Sequence, residues 1–523
     1  MEDDSGANRQ LGNAPIRSLY RPLLVVFVLV ALIFATQVVI RVEQVTRPKT
    51  TVANAKVDVA PLQSIDGFGA SGAWWSQPVY GMSASAKAKV GKLLFSGSGL
   101  ELSQFRYNIG GGGVGVTTWW KSPPTFLQPN GSYNFADDPG GVYFLKMAKS
   151  YGVADLVGFA NSAPVEFTSN GLNCGGTLLR NEIPAYANYL TKVVLGIWKT
   201  FGIKLNYISP MNEPDGSMSA CKQEGMRVPV LERAPLVVAL GKDLAMRAPW
   251  CHIIADESSV VAFQLIPELP RWITRLDAKK YVAVVAHHTY DYPGPKVLTA
   301  MKLLLAHYHL PSWTTEICCF NGKTFGYQYD PTMRSGMWLA KSIFKDLVYG
   351  GDSAFDWWLA VSPSLGCEPA LDSGCAERAN ILGRNDGLVY YDINYPSDHN
   401  MNLYLTKRYF VLGNYSRFIP PGSILHSVSG LPSGVMALAT EKQGAWSLVV
   451  INDRARGSAK IRISIQLPTQ VPIMRLVSSA LTSASASWAR VEGVGISRNG
   501  IVSFSSEGQQ VASLEVAPSL TRQ

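Results

Sequence analysis

Residues 206–214 read NYISPMNEP, a short apolar run that ends in a carboxylate. Because Pro214 has no amide hydrogen to offer a strand ladder, the strand must end close to Glu213. A second run of this kind, SWTTEI at residues 312–317, carries Glu316 near its end. Both stretches predict short buried strands with a glutamate at the carboxyl end.

Eight β-rich runs of this type alternate with amphipathic segments between residues 66 and 405. The predicted strands are Gly67 to Ala70, Leu102 to Ile109, Ala154 to Ser162, Asn206 to Met211, His252 to Glu257, Val282 to Thr289, Ser312 to Ile317 and Ser353 to Ala360. The helical segments include 85–95, 182–201, 230–248, 262–278, 296–309 and 334–350. This alternation predicts an α/β fold, a (β/α)8 TIM barrel, over residues 66–405. A doubly wound sheet alternates similarly and stays open as an alternative.

Residues 406–520 change to short strands with an alternating apolar and polar pattern, as in AWSLVVIND and AKIRISIQ. Turn signals separate these runs. The pattern predicts a C-terminal β-sandwich attached to the barrel. One further sandwich strand is predicted in residues 57–65, just before the barrel.

Residues 22–40 carry no charged side chain and come close to the roughly 20 apolar residues that span a bilayer. The run is longer than the core of a signal peptide and lacks a clear cleavage site, which favours one retained transmembrane helix, a signal anchor over 22–41. Residues 1–21 would be a cytoplasmic tail and residues 42–56 a stalk. The rest would be lumenal or extracellular, as in a single-pass type II membrane protein; secretion after cleavage is the alternative.

Sequons at Asn130 and Asn414 agree with an exported, glycosylated domain. Seven cysteines, all beyond the predicted anchor, agree with an oxidising compartment. Cys367 and Cys375 flank a short loop and are the best candidates for a local disulfide. Cys251 opens an apolar run and is typical of a buried small hydrophobic residue. The other pairings stay open.

The composition excludes several classes of protein. Hydrophobic residues make up 47% of the chain and charged residues 16%, which is too apolar for a disordered, collagenous or coiled-coil protein. The net charge of +9 comes from scattered basic residues, without the clusters typical of nucleic-acid binding. We therefore expect a folded protein whose partner is not a nucleic acid.

The carboxyl ends of TIM-barrel strands surround the active site, so Glu213 and Glu316 are the candidate catalytic residues. Strands four and seven lie across the barrel mouth from one another, where two carboxyl groups can flank one bond. A separation of about 5 to 5.5 Å suits retaining glycoside hydrolysis, in which one carboxyl is acid and then base and the other is the nucleophile. The pair therefore predicts a glycosidase acting on a polysaccharide or glycoconjugate.

Neighbouring strand ends carry residues predicted to support this pair. Arg106 ends strand two and is expected to orient the nucleophile through a charge-assisted hydrogen bond. Asn212 is expected to hold a sugar hydroxyl. Since flat aromatic rings stack on the apolar faces of sugars, aromatic residues are favoured as further contacts. The other predicted substrate contacts are His287, Tyr290, Trp357, Trp74 and Trp75. Strand alternation lets only one of Trp357 and Trp358 face the site.

Cofactor chemistry is not expected. Gly110, Gly112 and Gly115 fit a dinucleotide-binding spacing, but the following VTTWWKSPP cannot form the helix that would hold a pyrophosphate. No GxSxG nucleophile elbow and no HExxH motif occur, and the seven histidines lack the spacing of a three-ligand site. The prediction is no cofactor, no metal and no nucleotide.

Six strings occur in a fixed order: DGFGASGAWW, FRYNIGGGGVGV, FANSAPVEFTSNG, SPMNEPDGS, HHTYD and TTEICC. Together they resemble glycoside hydrolase family 30, specifically its endo-β-1,6-galactanase-like branch, from about residue 65 to the C-terminus. The resemblance implies a retaining O-glycosyl hydrolase with a barrel and a sandwich, acting on β-1,6-galactan side chains of arabinogalactan. By motif, Glu213 resembles the acid/base and Glu316 the nucleophile. Residues on matching strand ends resemble the family's substrate or nucleophile supports: Arg106, Asn212, His287, Tyr290 and Trp357.

Three alternatives remain open from the sequence. Relatives of this fold include glucosylceramidase-like β-glucosidases that act on glycolipid, and endo-xylanases. A membrane anchor, which departs from the secreted form associated with the family, would place a glycolipid hydrolase near its substrate. The third alternative, a catalytically silent carbohydrate-binding membrane protein, is disfavoured because both glutamates remain in their motifs.

Overall fold

The computed structural model describes residues 28–33, 35–37, 51–320, 328–468 and 472–519. The described residues from Val52 onward form one compact unit. Among the described helices, none is long and apolar enough to cross a membrane. The anchor predicted over residues 22–41 lies largely outside the described residues and stays a prediction.

Eight parallel strands close into the predicted barrel. We number them barrel strands one to eight in chain order: Gly67–Ser71, Gln104–Ile109, Asp155–Ala160, Tyr207–Ser209, His252–Ser258, Val282–His288, Ser312–Glu316 and Ala354–Ser362. Each strand pairs in parallel with the next. Strand eight pairs with strand one, with Ala354 opposite Gly67, so the ring is closed and the doubly wound alternative is excluded.

Helices alternate with the barrel strands. They are Ser76–Tyr80, Ala84–Phe95, Pro139–Ser150, Ile183–Phe201, Val230–Arg247, Ile266–Trp272, Pro295–Tyr308 and Met333–Lys345. Their apolar residues recur at helical spacing, as with Leu190, Val194 and Ile197, which are buried on one face of Ile183–Phe201. That helix ends where Gly202 takes a left-handed φ of 69°, a conformation that glycine adopts without steric cost.

Short elements complete the barrel. The strand Gly387–Tyr391 pairs in parallel with strand eight. The strand Leu403–Leu405 pairs antiparallel with Gly387–Tyr391. A two-stranded ribbon, Gly176–Thr177 with Met226–Arg227, joins the loops after strands three and four. Two further α-helices, Tyr395–Asp398 and Lys407–Ser416, lead into the next domain.

The C-terminal domain is the predicted β-sandwich. Its strands are Ser423–Ser429, Val435–Lys442, Ala445–Asn452, Ile461–Gln466, Met474–Thr482, Gly495–Ile496, Ile501–Ser506 and Gln510–Pro518. Alternation places every second side chain in the core, as with the buried Ile461, Ile463 and Ile465. The sandwich strands begin at Ser423 rather than directly after residue 405, because Lys407–Ser416 is helical.

The sandwich strand that precedes the barrel begins earlier than predicted. Thr51–Val57 pairs antiparallel with Ser423–Ser429, and the two-residue strand Ser64–Ile65 pairs with the other end of the same partner. Ala53, Ala55 and Val57 are buried in the sandwich core. Residues 51–56, predicted as stalk, therefore belong to the sandwich. The inward-facing residues of this segment include the small Ala53 and Ala55.

Six of the seven cysteines form disulfides: Cys174–Cys221, Cys318–Cys319 and Cys367–Cys375. Cys251 is buried and unpaired. The predicted local bridge and the predicted buried cysteine are both confirmed.

The two sequons differ in exposure. Asn130 is exposed in a loop, so its glycosylation stays a prediction. Asn414 is fully buried, and its Nδ2 donates to the carbonyl of Ala480 and to Ser513 Oγ. A glycan at Asn414 is incompatible with this packing, so that expectation is wrong. A three-residue motif carries no information on burial.

Candidate active site

Polar side chains from different strands meet at the carboxyl end of the barrel. Arg106 comes from strand two, Glu257 from strand five, His288 from strand six and Glu316 from strand seven. Glu213 follows strand four, and its amide donates to the carbonyl of Glu257 at 3.0 Å. Parallel strands present their carboxyl ends at one rim, which is why residues far apart in sequence converge here.

Arg106 lies at the centre of this cluster and is fully buried. Its Nη1 donates to Glu316 Oε2 at 3.1 Å, and its Nη2 donates to Glu257 Oε1 at 3.2 Å. A longer contact of 3.4 Å joins Nη2 to Asn212 Oδ1. The structure therefore brings Arg106, Asn212 and Glu316 together, as the sequence predicts.

Glu257 was not among the predicted site residues. It is buried at the end of strand five, between Arg106 and His288, and it also accepts a hydrogen bond from Thr315. Burial opposes its ionisation, but the charges of Arg106 and His288 outweigh burial and lower the pKa of Glu257 to about 2. The rule that located Glu213 and Glu316, a carboxylate at a strand end, applies equally to Glu257.

His288, not His287, faces the site. Its Nδ1 lies 3.3 Å from Glu213 Oε1, and its Nε2 lies 3.1 Å from Glu257 Oε2 and 3.7 Å from Glu316 Oε2. Burial favours the neutral ring, yet these three carboxylates outweigh it and raise the pKa of His288 to about 10. The imidazole is therefore charged near neutral pH and donates from both nitrogens.

His287 points away from the site, so its predicted substrate contact is wrong. Its Nε2 lies 2.9 Å from Asp352 Oδ1, in a buried network that includes Ser312 and Thr314. Successive strand residues face opposite sides, and the register of strand six shifts between His287 and His288. Sequence alone could not decide which of two adjacent histidines turns inward.

Glu213 and Glu316 approach one another closely. One carboxylate oxygen of each and a ring nitrogen of His288 all lie within 4.8 Å of one another. This close approach is compatible with the separation of about 5 to 5.5 Å between the carboxyl groups of retaining glycosidases. The pair can therefore flank a single bond from two sides.

Glu316 is held on both oxygens. Tyr290 Oη donates to its Oε1 at 2.8 Å, while Arg106 donates to its Oε2. Burial raises the pKa of Glu316, although His288, Arg106 and the Tyr290 hydroxyl favour the ionised form and hold that rise back. Tyr290 therefore contacts the predicted nucleophile directly, at the position expected of a support.

The tryptophan pairs divide between cleft and core. Trp74 and Trp358 both line the cleft, and their rings meet edge to face with centroids 4.8 Å apart. Trp120 packs against Trp74 at 5.7 Å. Trp74 therefore lies at the site, as predicted. Trp358 lies at the position in the cleft that was predicted for Trp357.

Trp75 and Trp357 are fully buried away from the cleft, so their predicted substrate contacts are wrong. Trp75 Nε1 donates to the Ser71 carbonyl, and its ring packs on Phe144 of the helix Pro139–Ser150. Trp357 Nε1 donates to the carbonyl of Asp386 at 2.7 Å. Strand alternation allows one of Trp357 and Trp358 to face the cleft, but which one depends on the register.

Glu213, Glu316, Tyr290, Trp74 and Trp358 line a cleft of about 310 Å³. Its other lining residues, which the sequence did not single out, are Met218, Gln223, Tyr292, Cys318, Cys319, Arg384 and Asp386. Aromatic and sulfur-containing walls beside carboxylates suit a ligand with apolar faces and many hydroxyl groups, such as a sugar.

Left-handed backbone conformations cluster around the cleft. The φ angles are 68° at Trp74, 45° at Glu213, 61° at Glu257 and 76° at Cys319. Such values are uncommon for residues other than glycine and are maintained only where surrounding contacts fix them. The backbone is thus strained where it presents functional side chains.

The glycine-rich loop after strand two serves the protein itself. The amides of Gly111 and Gly113 donate to the buried carboxyl of Glu224. Burial raises the pKa of Glu224 to about 8, although these amide donors favour the ionised form. An internal carboxyl thus occupies the amides that a dinucleotide phosphate would need, which agrees with the expectation of no nucleotide site.

Glu213, His288 and Glu316 are close enough together to surround a cation. However, His288 donates toward Glu213 and Glu257, and Glu316 accepts from Arg106 and Tyr290. A charged imidazole and a guanidinium among the donors disfavour a metal ion. The donor set fits a hydrogen-bonded carboxylate pair better than a metal site.

Residues 54–266 match the sequence profile of O-glycosyl hydrolase family 30. The chain also resembles the catalytic domain of GH30 xylanase C from Talaromyces cellulolyticus, with 21% identity and a TM-score of 0.66 over 89% of this chain and 100% of that chain. It also resembles a conserved exported protein from Bacteroides fragilis, with 21% identity and a TM-score of 0.70 over 89% of this chain and 100% of that chain. For an endo-β-1,6-glucanase, the identity is 16% and the TM-score is 0.66 over 89% of this chain and 94% of that chain. At these identities, the likenesses to solved structures concern the fold.

Proposed function

We propose that the chain hydrolyses glycosides with retention of configuration, as a member of glycoside hydrolase family 30, whose sequence profile matches residues 54–266. The observation that carries the proposal is the close approach of Glu213 and Glu316, since one carboxylate oxygen of each lies within 4.8 Å of the other. Retaining glycosidases hold their two carboxyl groups about 5 to 5.5 Å apart, whereas inverting ones leave roughly 6.5 to 9.5 Å for a water molecule, so this close approach supports the retaining reaction.

Glu316 is the proposed nucleophile. Its two oxygens accept hydrogen bonds from Tyr290 and Arg106, which fix the carboxylate and stabilise its charge. Glu213 is the proposed acid/base. Its side chain is 12% exposed against 4% for Glu316, which suits a group that exchanges protons with the leaving group and with water.

The proposed reaction has two displacements. Glu316 attacks the anomeric carbon while Glu213 protonates the glycosidic oxygen, so the leaving sugar departs and a glycosyl ester forms on Glu316. Glu213 then removes a proton from water, which attacks the same carbon and releases Glu316. Arg106, held by Glu257, and His288 stabilise the carboxylates through both steps.

Azide rescue tests these roles. With an aryl β-glycoside, Glu316→Gly plus azide should give the inverted α-glycosyl azide, and Glu213→Gly plus azide should give the retained β-glycosyl azide. The opposite stereochemistry would exchange the two roles. Full hydrolysis by both variants without azide would refute the assignment, and Glu268→Gly serves as the carboxylate control because Glu268 lies outside the cleft.

The proposed substrate is β-1,6-linked galactan, as side chains of arabinogalactan, cleaved internally. The support is the ordered set of motifs from DGFGASGAWW to TTEICC, together with a cleft walled by Trp74 and Trp358. Glycolipid β-glucosides and xylan are the other candidate substrates. Neighbours of this fold include xylanases and an endo-β-1,6-glucanase, so the fold does not choose among them.

A product analysis distinguishes these substrates. The full chain is incubated separately with arabinofuranosidase-treated arabinogalactan, with xylan and with glucosylceramide. The products are identified by mass spectrometry. We expect β-1,6-galacto-oligosaccharides from the first alone, and none when Glu316→Gln is used. Retained sugar affinity without turnover of any substrate would favour the silent binding protein instead.

We further propose that residues 22–41 anchor the enzyme in a membrane as a type II protein, with the barrel lumenal or extracellular and Asn130 glycosylated. The support is the uncharged run over residues 22–40 and the exposure of Asn130. The full-length chain should stay with membranes at alkaline pH. Its release into the medium with a new N-terminus between residues 36 and 50 would instead indicate cleavage and secretion.

A further inference from the structure

The segment directly after Glu316 carries a disulfide between neighbouring residues. Cys318 and Cys319 bond to one another, and both line the same cleft as Glu316 and Glu213. Cys318 is 2% exposed, so the bridge is part of the cleft wall rather than a surface feature. Neither the proposed reaction nor the predicted site uses it.

This segment is fixed by contacts on both sides. The Ile317 carbonyl accepts a hydrogen bond from the Trp358 amide at 3.1 Å, and the Cys318 carbonyl accepts one from Tyr292 Oη at 3.0 Å. The Cys319 amide donates to the Asn385 carbonyl at 3.3 Å. Glu316 therefore continues into a short stretch whose backbone is held at each residue.

The bridge also contacts the group that holds the nucleophile. Tyr290 Oη lies 3.9 Å from Cys318 Sγ and 2.8 Å from Glu316 Oε1. A shift of the Cys318 sulfur would change the space available to the Tyr290 hydroxyl. The bridge and the nucleophile thus share one hydrogen-bonding partner.

The backbone at Cys319 has a φ of 76°, in the left-handed region that residues with a Cβ seldom adopt. A bond between adjacent side chains closes a small ring that includes the intervening peptide and restricts its rotation. Without that ring, Cys319 is expected to relax toward negative φ, and the segment after Glu316 would move with it.

We propose that the Cys318–Cys319 disulfide is a positioning element of the active site, which fixes the segment after Glu316 and the Tyr290 hydroxyl so that the carboxylate keeps its attacking geometry. The inference rests on the proposed function, since it concerns how well Glu316 forms a covalent bond to sugar. It assigns the bridge to bond formation and not to sugar affinity.

The test measures covalent trapping of Glu316 in the full chain. The probes are 2,4-dinitrophenyl 2-deoxy-2-fluoro-β-galactoside and the matching glucoside and xyloside, whose good leaving group removes the need for an acid. Intact mass gives the trapping rate constant and the half-saturating probe concentration. The variants are the double variant Cys318→Ser with Cys319→Ser, and a second with Cys318→Ser and Cys319→Gly.

We expect the first variant to trap about 10- to 100-fold more slowly at saturation, with half-saturation changed less than about twofold. The second variant should recover part of the loss, because glycine accepts a φ of 76° without the ring. The paired control Cys367→Ser with Cys375→Ser removes a disulfide that has no contact with Glu316 and should trap at the rate of the unmodified chain. Melting temperatures establish that each variant is folded at the assay temperature.

Several results would overturn the proposal. An unchanged trapping rate, or a change in half-saturation alone, would make the bridge a spacer or a sugar contact. Failure of both cleft variants to fold would make it a stabilising bridge of the domain. No labelling of the unmodified chain by any of the three probes would instead refute the proposed retaining function, and the inference with it.

Discussion

Two buried arginines lie on opposite faces of barrel strand five and have similar partners. Arg106 binds Glu257 and Glu316 inside the barrel mouth. Arg233 pairs with Asp256, Asp215 and Glu268 outside it, at 2.8, 3.3 and 2.8 Å. Asp256 and Glu257 are neighbours in sequence, so one strand supplies an acidic partner to each cluster.

The clusters differ in what lies beyond the ion pairs. Asp256 also accepts hydrogen bonds from Trp272 Nε1 and Ser258 Oγ, and it does not line the cleft. Glu316, in contrast, opens onto the cleft together with Glu213. The same buried chemistry therefore stabilises the fold on one face and, as proposed, prepares a reactive carboxylate on the other.

The largest expected effect is the loss of activity when a carboxylate of the Arg106 cluster is replaced, compared with the same replacement in the Arg233 cluster. Glu316→Gln should lower kcat/KM on an aryl β-glycoside by about 10⁴-fold or more, because an amide cannot form the glycosyl ester. The matched change Glu268→Gln should leave kcat/KM within about threefold and lower the melting temperature. Equal loss of activity in both variants would show that the clusters do not divide function from stability.

The next effect tests the arginines themselves. Arg106→Lys should reduce kcat by about 10²- to 10³-fold, since one ammonium cannot bridge Glu257 and Glu316 as the guanidinium does. Arg233→Met should instead lower the free energy of unfolding by about 3–5 kcal/mol, because it leaves buried carboxylates unpaired.

Steady-state kinetics and urea unfolding measure the two arginine variants. At a temperature where it is folded, Arg233→Met should keep its activity per folded molecule. A loss of kcat in that variant beyond about tenfold would contradict the separation of the two faces.

A smaller effect distinguishes the adjacent tryptophans. Trp358→Ala should raise KM about tenfold with little change in melting temperature, because it removes a ring from the cleft. Trp357→Ala should leave KM unchanged and destabilise the barrel by about 3–5 kcal/mol, since it opens a cavity in the core. Kinetics on one substrate and thermal unfolding of both variants decide the matter; a larger KM change for Trp357→Ala would reverse their assignment.

The smallest effect concerns pH. The pKa of His288 is raised to about 10 from an ordinary 6.5, so its protonation stabilises the folded protein fully below about pH 6.5. That contribution is lost as the pH rises through about 10. The difference in unfolding free energy between the unmodified chain and His288→Gln should therefore shrink from pH 6 to pH 10 in urea titrations.

The exposed residue His252 provides the control for this titration. His252→Gln is measured over the same pH range, so that the pH dependence of His288→Gln is compared with that of a variant lacking a surface histidine. A difference for His288→Gln that stays constant over the same range would mean that the buried imidazole is not charged.

Much of the barrel and part of the site were predictable from local patterns. The eight apolar runs fall within a few residues of the eight strands, because each run is short, apolar and ended by polar or turn residues. Glu213, Glu316 and Tyr290 were found because strand ends converge in this fold. Arg106 was found by the same argument, although it lies inside strand two, Gln104–Ile109. The same rule could have identified Glu257, which ends strand five.

Other features could not be predicted from the sequence. His287 and Trp357 were predicted instead of His288 and Trp358. Periodicity shows that adjacent strand residues face opposite sides, but it does not show which of the two faces the cleft. Most of the strand Thr51–Val57 was predicted as stalk because the segment is polar with few aromatic residues, and its inward residues are mostly small alanines. Asn414 carried an acceptor motif whose burial appears only when the helix Lys407–Ser416 is packed.

The sequence by itself determined the order of the elements, the barrel and sandwich classes and the identity of the two candidate catalytic glutamates. Hydrophobic periodicity and the residues that end strands act locally, so they can be recognised without the tertiary structure. Only the tertiary structure decided which side of each strand faces the cleft, that Arg106 joins Glu257 to Glu316, and that Cys318 and Cys319 lie in the wall beside them. Those features depend on strand register and on contacts between segments distant in sequence, and a one-residue change of register reverses every side chain on a strand.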